Sequence, residues 1–80
     1  MFTVYVLSSI SRPYLYVALT SQLSKRLKRH NKGQNKTTKP YAPFKLIYTR
    51  EFGNRKDART HEKYLKSGVG KEYLKSLDKS

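Results

Sequence analysis

Three side chains near the start of the chain are spaced so that they could gather around one phosphate group. They are Tyr16, Arg26 and His30, within the stretch YVALTSQLSKRLKRHN. Arg26 and His30 are four residues apart, so they share one face of a predicted helix. An arginine binds phosphate through its planar fork of N–H groups, and a histidine donates to phosphate or moves a proton.

The same helix also has a simpler interpretation, as a solvated basic face. Leu23 and Leu27 form an apolar pair that should pack on a sheet, which would place Arg26 and His30 at the border between core and solvent. Three further cations surround them: Lys25, Lys28 and Arg29. Because basic surface helices are common, the helix alone favours the solvated face.

Two tyrosines of the predicted opening hairpin bear on this choice. Tyr5 lies in the first strand, and Tyr16 lies in the second. A register that pairs Tyr5 with Tyr16 puts both phenols on one face of the sheet, whereas a shift of one residue separates them. The sequence leaves the register open, and strand tyrosines are also ordinary packing residues.

Glu62 is the candidate metal ligand among five carboxylates. It lies in mid-helix at the edge of an apolar stripe formed by Ala58 and Leu65, where a carboxylate is costly unless a cation or hydrogen bond compensates it. Pairing with Lys or Arg would suffice. Alternatively, Glu62 could bind Mg²⁺, with water and substrate phosphate as the other ligands.

Charge indicates the class of partner. The chain carries 18 Lys and Arg against five acids, a net charge of +13, and no carboxylate precedes Glu51. Such a chain repels itself unless a polyanion neutralises it, and nucleic acid is the expected partner. An anionic membrane surface or a ribosomal location are the alternatives. The candidate nucleic-acid-binding residues are Lys25, Lys28, Arg29, Lys32, Lys36 and Lys39.

Length and composition set further bounds. Eighty residues predict a single domain over residues 1–80 with a thin core. The absence of cysteine excludes disulfides, thiolate zinc sites and a cysteine nucleophile, and suits a reducing cytoplasm. Polar residues interrupt the first twenty positions, which therefore predict neither a signal peptide nor a membrane span.

The hydrophobic periodicity predicts an α+β domain in the order β-β-α-β-α-α. The predicted strands are residues 2–8, 14–19 and 44–52, and the predicted helices are roughly 21–31, a segment capped by Asn54 that ends at SGVG, and 71–77. Residues 32–43 are predicted to be a basic loop. The three strands should form an antiparallel sheet with the helices on one side.

Local signals predict where the helices begin and end. Thr20 or Ser21 offers an oxygen to cap the first helix, and Gly33 is a natural stop. Asn54 can cap the second helix. Asp57 lies in the first turn of that helix, where the helix dipole favours a negative charge.

Together these residues resemble the GIY-YIG nuclease superfamily, especially its small stand-alone bacterial members. TVYVL (residues 3–7) is similar to the first motif, and YVA (residues 16–18) is similar to the YIG motif. The run T-x-x-L-x-x-R-L-x-x-H-N follows over residues 20–31. Further on, PFKLIYTREF and ARTHEKYLKSGVGKEYL resemble the third strand, the glutamate-bearing helix and the C-terminal signature.

The resemblance implies a metal-dependent endonuclease that hydrolyses phosphodiester bonds of DNA or RNA, with DNA favoured, using Mg²⁺ or another divalent cation such as Mn²⁺. By position, Glu62 matches the metal-binding glutamate and Arg26 the phosphate-stabilising arginine. Tyr5 and Tyr16 match the two motif tyrosines, one of them a candidate base or water-orienting group. His30 matches the histidine near the scissile phosphate.

The chain departs from the motifs at two glycine positions, which are Thr3 and Ala18. A positive φ at residue 18 would cost alanine roughly 1 kcal/mol or more. If glycine there only permits close approach, the methyl group crowds the groove. Either effect could weaken cleavage without preventing binding. The second hypothesis is therefore a nucleic-acid-binding module of the same fold with weakened catalysis.

Overall fold

The computed structural model describes residues 1–34, 36 and 38–78. Its elements are β1 (Phe2–Ser9), β2 (Leu15–Thr20), α1 (Leu23–Asn31), a 3₁₀ turn (Lys39–Tyr41), β3 (Phe44–Phe52), α2 (Arg55–Lys66) and α3 (Gly68–Asp78). The predicted α+β class and the order β-β-α-β-α-α are confirmed. Residues 35 and 37 of the predicted basic loop lie outside the described residues. No helix within the described ranges is both long and apolar enough to cross a membrane.

The sheet is antiparallel, with strand order β2-β1-β3. Tyr5 lies opposite Ala18, and Leu7 lies opposite Tyr16. Neither register considered from the sequence is the observed one. The observed register nevertheless keeps Tyr5 and Tyr16 on one face, as diagonal neighbours, because side chains alternate with a period of two.

Helices cover both faces of this sheet. On one face, Val4 and Val6 of β1 pack with Ala58, Leu65 and Leu74 of α2 and α3. On the other face, Tyr5 and Leu7 pack with Leu23 and Leu27 of α1. The prediction of helices on one side is therefore wrong. The central strand is apolar at four consecutive positions, residues 4–7, and both of its faces need cover.

The first helix begins later than predicted and stops where predicted. Its N-cap residue is Gln22, which makes no side-chain cap bond, so the predicted cap at Thr20 or Ser21 is wrong. Thr20 Oγ1 instead accepts the Gln22 backbone N–H at 3.0 Å, which shapes the turn before the helix. Gly33 adopts a φ of 71° and its N–H donates to the His30 carbonyl, which ends α1.

The second helix begins at the predicted cap but runs almost directly into the third. Asn54 Oδ1 accepts the Asp57 N–H at 2.8 Å. The SGVG segment is not a loop, because α3 begins at Gly68 rather than at residue 71. Ser67 acts at both helices: its N–H donates to the Tyr64 carbonyl, and its Oγ accepts the Gly70 N–H at 3.2 Å.

Gly70 permits the close approach of these two helices. A Cβ built there would lie 2.6 Å from Leu65 Cα, whereas one at Gly68 would meet nothing within 4 Å. We expect Gly70→Ala to lower the free energy of unfolding by about 1–3 kcal/mol, since backbone cannot move aside as a flexible side chain can. Gly68→Ala, the matched control, should be neutral or slightly stabilising in urea unfolding. Equal stability of the two variants would contradict this account of the α2–α3 contact.

Candidate active site

Tyr5 is the centre of a polar cluster buried beneath α1. Its side chain is 1% exposed, and its ring centroid lies 6.4 Å from that of Tyr16 on the neighbouring strand. The strand period orients both phenols toward the α1 face of the sheet. The structure therefore brings together the two motif tyrosines.

His30 lies inside this cluster rather than at its rim. Its Nε2 is 3.2 Å from the Tyr5 hydroxyl, and its Nδ1 is 2.8 Å from Thr38 Oγ1. The ring is 1% exposed, so the predicted position at the border between core and solvent is wrong. The reason is helical spacing: His30 follows Leu23 and Leu27 on the stripe that faces the sheet.

Arg26 lies off that stripe and is exposed. Within the described part of the chain, its guanidinium makes no hydrogen bond or ion pair. Its charge nonetheless acts on the cluster, since it lowers the pKa of both Tyr5 and His30. Arg26 is thus a cation at the mouth of the cluster with its fork of N–H donors available to a ligand.

Glu62 lies on α2, which packs on the other face of the sheet. Its side chain is only 12% exposed, and its negative charge contributes to raising the pKa of Tyr5. Lys66 Nζ lies 3.5 Å from Glu62 Oε2. The ion pair expected from a purely structural carboxylate is therefore present, and the charge of the same carboxylate also acts on Tyr5 through space.

The environment fixes the protonation state of Tyr5. Burial is the main cause that raises the pKa of Tyr5 to about 12; Tyr16 also raises it, Arg26 opposes the increase, and Glu62 adds the smallest contribution to it. The hydroxyl is therefore protonated at neutral pH and is able to donate a hydrogen bond.

The residues present fit a single divalent cation bound at Glu62. The described residues contain no group of three or more His, Asp or Glu side chains that could form a protein-only metal cage. Mg²⁺ does not require one, because one or two carboxylates with water and phosphate oxygens complete its coordination. The position also already accommodates a cation, the ammonium of Lys66, which is 55% exposed.

Buried His30 makes stability depend on pH. Burial, with the charges of Arg26 and Arg29, lowers the pKa of His30 below its usual 6.5. Below about pH 6.5 the unfolded chain binds a proton that the folded chain does not, so this contribution is complete above that pH and is lost as the pH falls. We expect the free energy of unfolding, measured with urea, to be lower at about pH 5 than at about pH 8.

The variant His30→Gln should reduce this pH dependence. His61 is the necessary comparison, because burial and Arg50 also lower the pKa of His61. We expect His30→Gln and His61→Gln each to remove part of the pH dependence. A variant His30→Gln with the full pH dependence of the parent would show that His30 titrates as an exposed histidine does.

The candidate nucleic-acid-binding cations lie on α1 and the segment that follows it. All six are exposed: Lys25, Lys28, Arg29, Lys32, Lys36 and Lys39. Together with Arg26 they concentrate positive charge on α1 and the segment that follows it, which suits contact with a phosphate backbone.

Sequence reasoning missed two residues that hold the cluster in place. Thr38 is fully buried and bonds His30, yet nothing distinguishes it within the basic loop. Asn31 Oδ1 accepts the Phe44 backbone N–H at 2.8 Å, which ties the end of α1 to the start of β3. Asn31 is the last residue of the T-x-x-L-x-x-R-L-x-x-H-N run, directly after His30. That position was the one feature of the sequence that could have indicated its structural role.

The alanine at the YIG glycine position occupies regular strand backbone. No non-glycine residue in the described ranges has a positive φ, so the penalty considered for Ala18 does not arise. Ala18 lies opposite Tyr5 and packs in the same cluster. The effect that remains for the methyl group is on the space beside Tyr5.

Comparison with known proteins supplies the context for this arrangement. The profile of the GIY-YIG catalytic domain matches residues 1–75. A UPF0213 protein of Pediococcus pentosaceus is 40% identical over 67 residues, 82% of this chain and 70% of that protein. One from Clostridium perfringens is 42% identical over 53 residues, 65% of this chain and 57% of that protein, so the chain spans little more than half of that relative. The solution structure of a UPF0213 protein from Bacillus halodurans aligns with a TM-score of 0.57 at 32% identity, covering 96% of this chain and 85% of that one.

Proposed function

Because the chain belongs to the GIY-YIG family of nucleases, we propose that it is a metal-dependent endonuclease that hydrolyses phosphodiester bonds, with DNA as the favoured substrate. The observation that carries the proposal is the buried contact between two candidate residues, Tyr5 and His30. The Tyr5 hydroxyl contacts His30, and the pKa of Tyr5 responds to the charges of Arg26 and Glu62. We assign the catalytic roles to Tyr5, Tyr16, Arg26, His30 and Glu62, within one domain.

Tyr5 and His30 supply a route for the proton of the attacking water. In the tautomer whose Nδ1–H donates to Thr38, the Nε2 lone pair of His30 accepts the Tyr5 proton. As water attacks phosphorus, its proton passes to the Tyr5 oxygen while the Tyr5 proton passes to His30. A relay of this kind suits a phenol with a pKa of about 12, which is too weakly acidic to ionise by itself at neutral pH.

Arg26 and Glu62 would stabilise the negative charge that develops on the phosphate oxygens during attack. The Arg26 fork can donate to two phosphate oxygens at once, and a guanidinium costs less to desolvate than an ammonium because it is more weakly hydrated. Glu62 would hold the divalent cation. When bound, that cation polarises the phosphate and stabilises the leaving oxygen.

Tyr5→Phe should lower the rate of cleavage by about 10²–10⁴-fold, the range typical of removing a general base. The phenylalanine ring preserves the packing and removes only the hydroxyl. Single-turnover cleavage at saturating protein is the measurement, since it separates chemistry from binding. Tyr48→Phe, which removes a hydroxyl that bonds His61 away from the cluster, is the matched control. Equal rates for the two variants would remove Tyr5 from the mechanism.

A second candidate function is a nucleic-acid-binding module with weakened catalysis. The Glu62–Lys66 ion pair favours it, because that cation competes with a metal for the carboxylate. This alternative predicts salt-sensitive binding that Mg²⁺ does not alter, and no cleavage products.

A magnesium titration decides between the two functions. Supercoiled plasmid, branched DNA and single-stranded RNA are incubated with the protein with and without Mg²⁺, beside Glu62→Ala. The endonuclease proposal predicts nicked or cut products that require Mg²⁺ and an intact Glu62. Binding without products on every substrate, under conditions where the protein is folded, would contradict the endonuclease proposal.

A further inference from the structure

A groove of about 660 Å³ runs along the outer edge of β2. This edge is unpaired in the three-stranded sheet of the described residues, because β2 pairs only with β1. The groove is lined on one side by Pro13, Tyr14, Leu15, Tyr16 and Val17, and on the other by Lys66, Lys71, Leu74 and Lys75. Residues from both faces of the β2 edge thus meet the α2–α3 junction in one concave surface.

The lining combines an apolar floor with a cationic rim. Leu15, Val17 and Leu74 belong to the core cluster beneath α2 and α3, or pack against it. Lys66, Lys71 and Lys75 stand around that floor, and the described lining contains no carboxylate. A ligand that matches the apolar floor and the lysine rim has a flat apolar part and a negatively charged group beside it.

Within the described residues, the two lysines of α3 that line the groove have no carboxylate partner. Lys71 and Lys75 are exposed, and neither forms an ion pair within the described ranges. They are also four residues apart on one helix, a spacing at which like charges destabilise. An anionic ligand would relieve this repulsion.

The groove is continuous with the candidate active site. Tyr16 lines it and also lies beside Tyr5, and Lys66 lines it and also pairs with Glu62. A ligand in the groove is therefore adjacent to the phosphate on which Arg26 and Glu62 would act.

We propose that this groove binds an unpaired nucleotide of the substrate strand, next to the bond that is cleaved. The inference rests on the proposed nuclease function and adds the class of substrate. The volume lies within the range of about 300–1,000 Å³ that small-ligand pockets occupy. An unstacked base fits the apolar floor, while its phosphates meet the lysines. Bases stacked inside a duplex cannot enter, so a substrate with unpaired nucleotides at the cleavage point binds more tightly than a blunt duplex.

The test compares two pairs of exposed lysines that carry the same charge. Lys71→Gln/Lys75→Gln alters the groove, and Lys56→Gln/Lys63→Gln, on the outer face of α2, is the matched control. Binding of a labelled single-stranded oligonucleotide and of a blunt duplex is measured by fluorescence anisotropy in EDTA at several salt concentrations. EDTA prevents cleavage, so the measurement does not depend on activity.

The groove variant should lose at least about fivefold more affinity for the single strand than the control variant does. The slope of log affinity against log salt should fall by about 1.4 in the groove variant, at about 0.7 for each phosphate that the protein no longer neutralises. The two variants should bind the duplex equally. Equal losses on the single strand, or an equal loss on both nucleic acids in the groove variant, would overturn the proposal.

Photocrosslinking supplies a second measurement on the unaltered chain. A single strand carrying 5-iodouracil should crosslink to residues that line the groove, and crosslinks confined to residues outside that lining would overturn the groove site. These outcomes are distinct from failure of the proposed function. If the groove assignment fails while Mg²⁺-dependent cutting persists, the endonuclease stands, and if cutting is absent while the groove binds, the binding module stands.

Discussion

Glu62→Gln removes magnesium-dependent cleavage in our account, with a rate at least about 10²–10³-fold below that of the parent chain. Glutamine keeps the shape of the side chain and removes the charge that would hold the cation. The loss should appear in single-turnover rates and persist at high Mg²⁺. The fold should survive, because the ion pair that this change breaks involves a half-exposed lysine and contributes little.

Glu51→Gln is the matched control for this change. Glu51 is an exposed carboxylate on β3, the strand farthest from β2 in the sheet, and removing its charge should leave the cleavage rate unaltered. Circular dichroism melts establish that both variants are folded. Cleavage at the parental rate by the double variant Glu62→Gln/Arg26→Ala would reveal a contaminating nuclease and refute the assignment.

Arg26→Ala is the second change with a large expected effect, a loss of about 10²–10³-fold in single-turnover rate. The guanidinium is exposed and makes no ion pair or hydrogen bond within the described residues, so its removal should cost little stability. Arg26→Lys should recover part of the rate, because it restores the charge and not the planar fork. If Arg26 acted only through its charge, Arg26→Lys would be as active as the parent chain. That result would contradict a role for the planar fork.

Arg59→Ala is the control for this series. Arg59 is an exposed arginine on the outer face of α2, away from the Tyr5 cluster. Its loss removes the same charge from the chain, and any decrease in affinity common to the two variants measures net charge alone. Equal effects of Arg59→Ala and Arg26→Ala on the single-turnover rate would contradict a specific role for Arg26.

The sequence was sufficient to predict the element order because the hydrophobic periods are unambiguous. Strand alternation at residues 2–8 and 44–52 and the Asn54 cap identify elements that the structure confirms. The pairing of Glu62 with a lysine was one of two sequence interpretations, and Lys66 is that partner. Such features depend on local spacing, which a sequence displays directly.

Features that depend on tertiary packing could not be predicted in this way. The position of α1 on the face opposite α2 follows from the two-sided burial of β1, which periodicity alone did not reveal. The prediction that His30 lies at the border between core and solvent was wrong because a polar residue beside an apolar stripe usually lies at such a border. His30 is buried instead, because Tyr5 and Thr38 provide hydrogen-bond partners for both of its ring nitrogens. The register of the hairpin likewise required coordinates.

The most direct test is the location of a bound cation by nuclear magnetic resonance. Substoichiometric Mn²⁺ broadens nearby protons steeply with distance, and it requires neither substrate nor activity. We expect the protons of Glu62 to broaden first and the rings of Tyr5 and Tyr16 to follow before those of Tyr48 and Tyr73, with the effect lost in Glu62→Gln. Earlier broadening of Tyr48 and Tyr73, or an identical pattern in Glu62→Gln, would separate the carboxylate from the phenols and contradict a shared site.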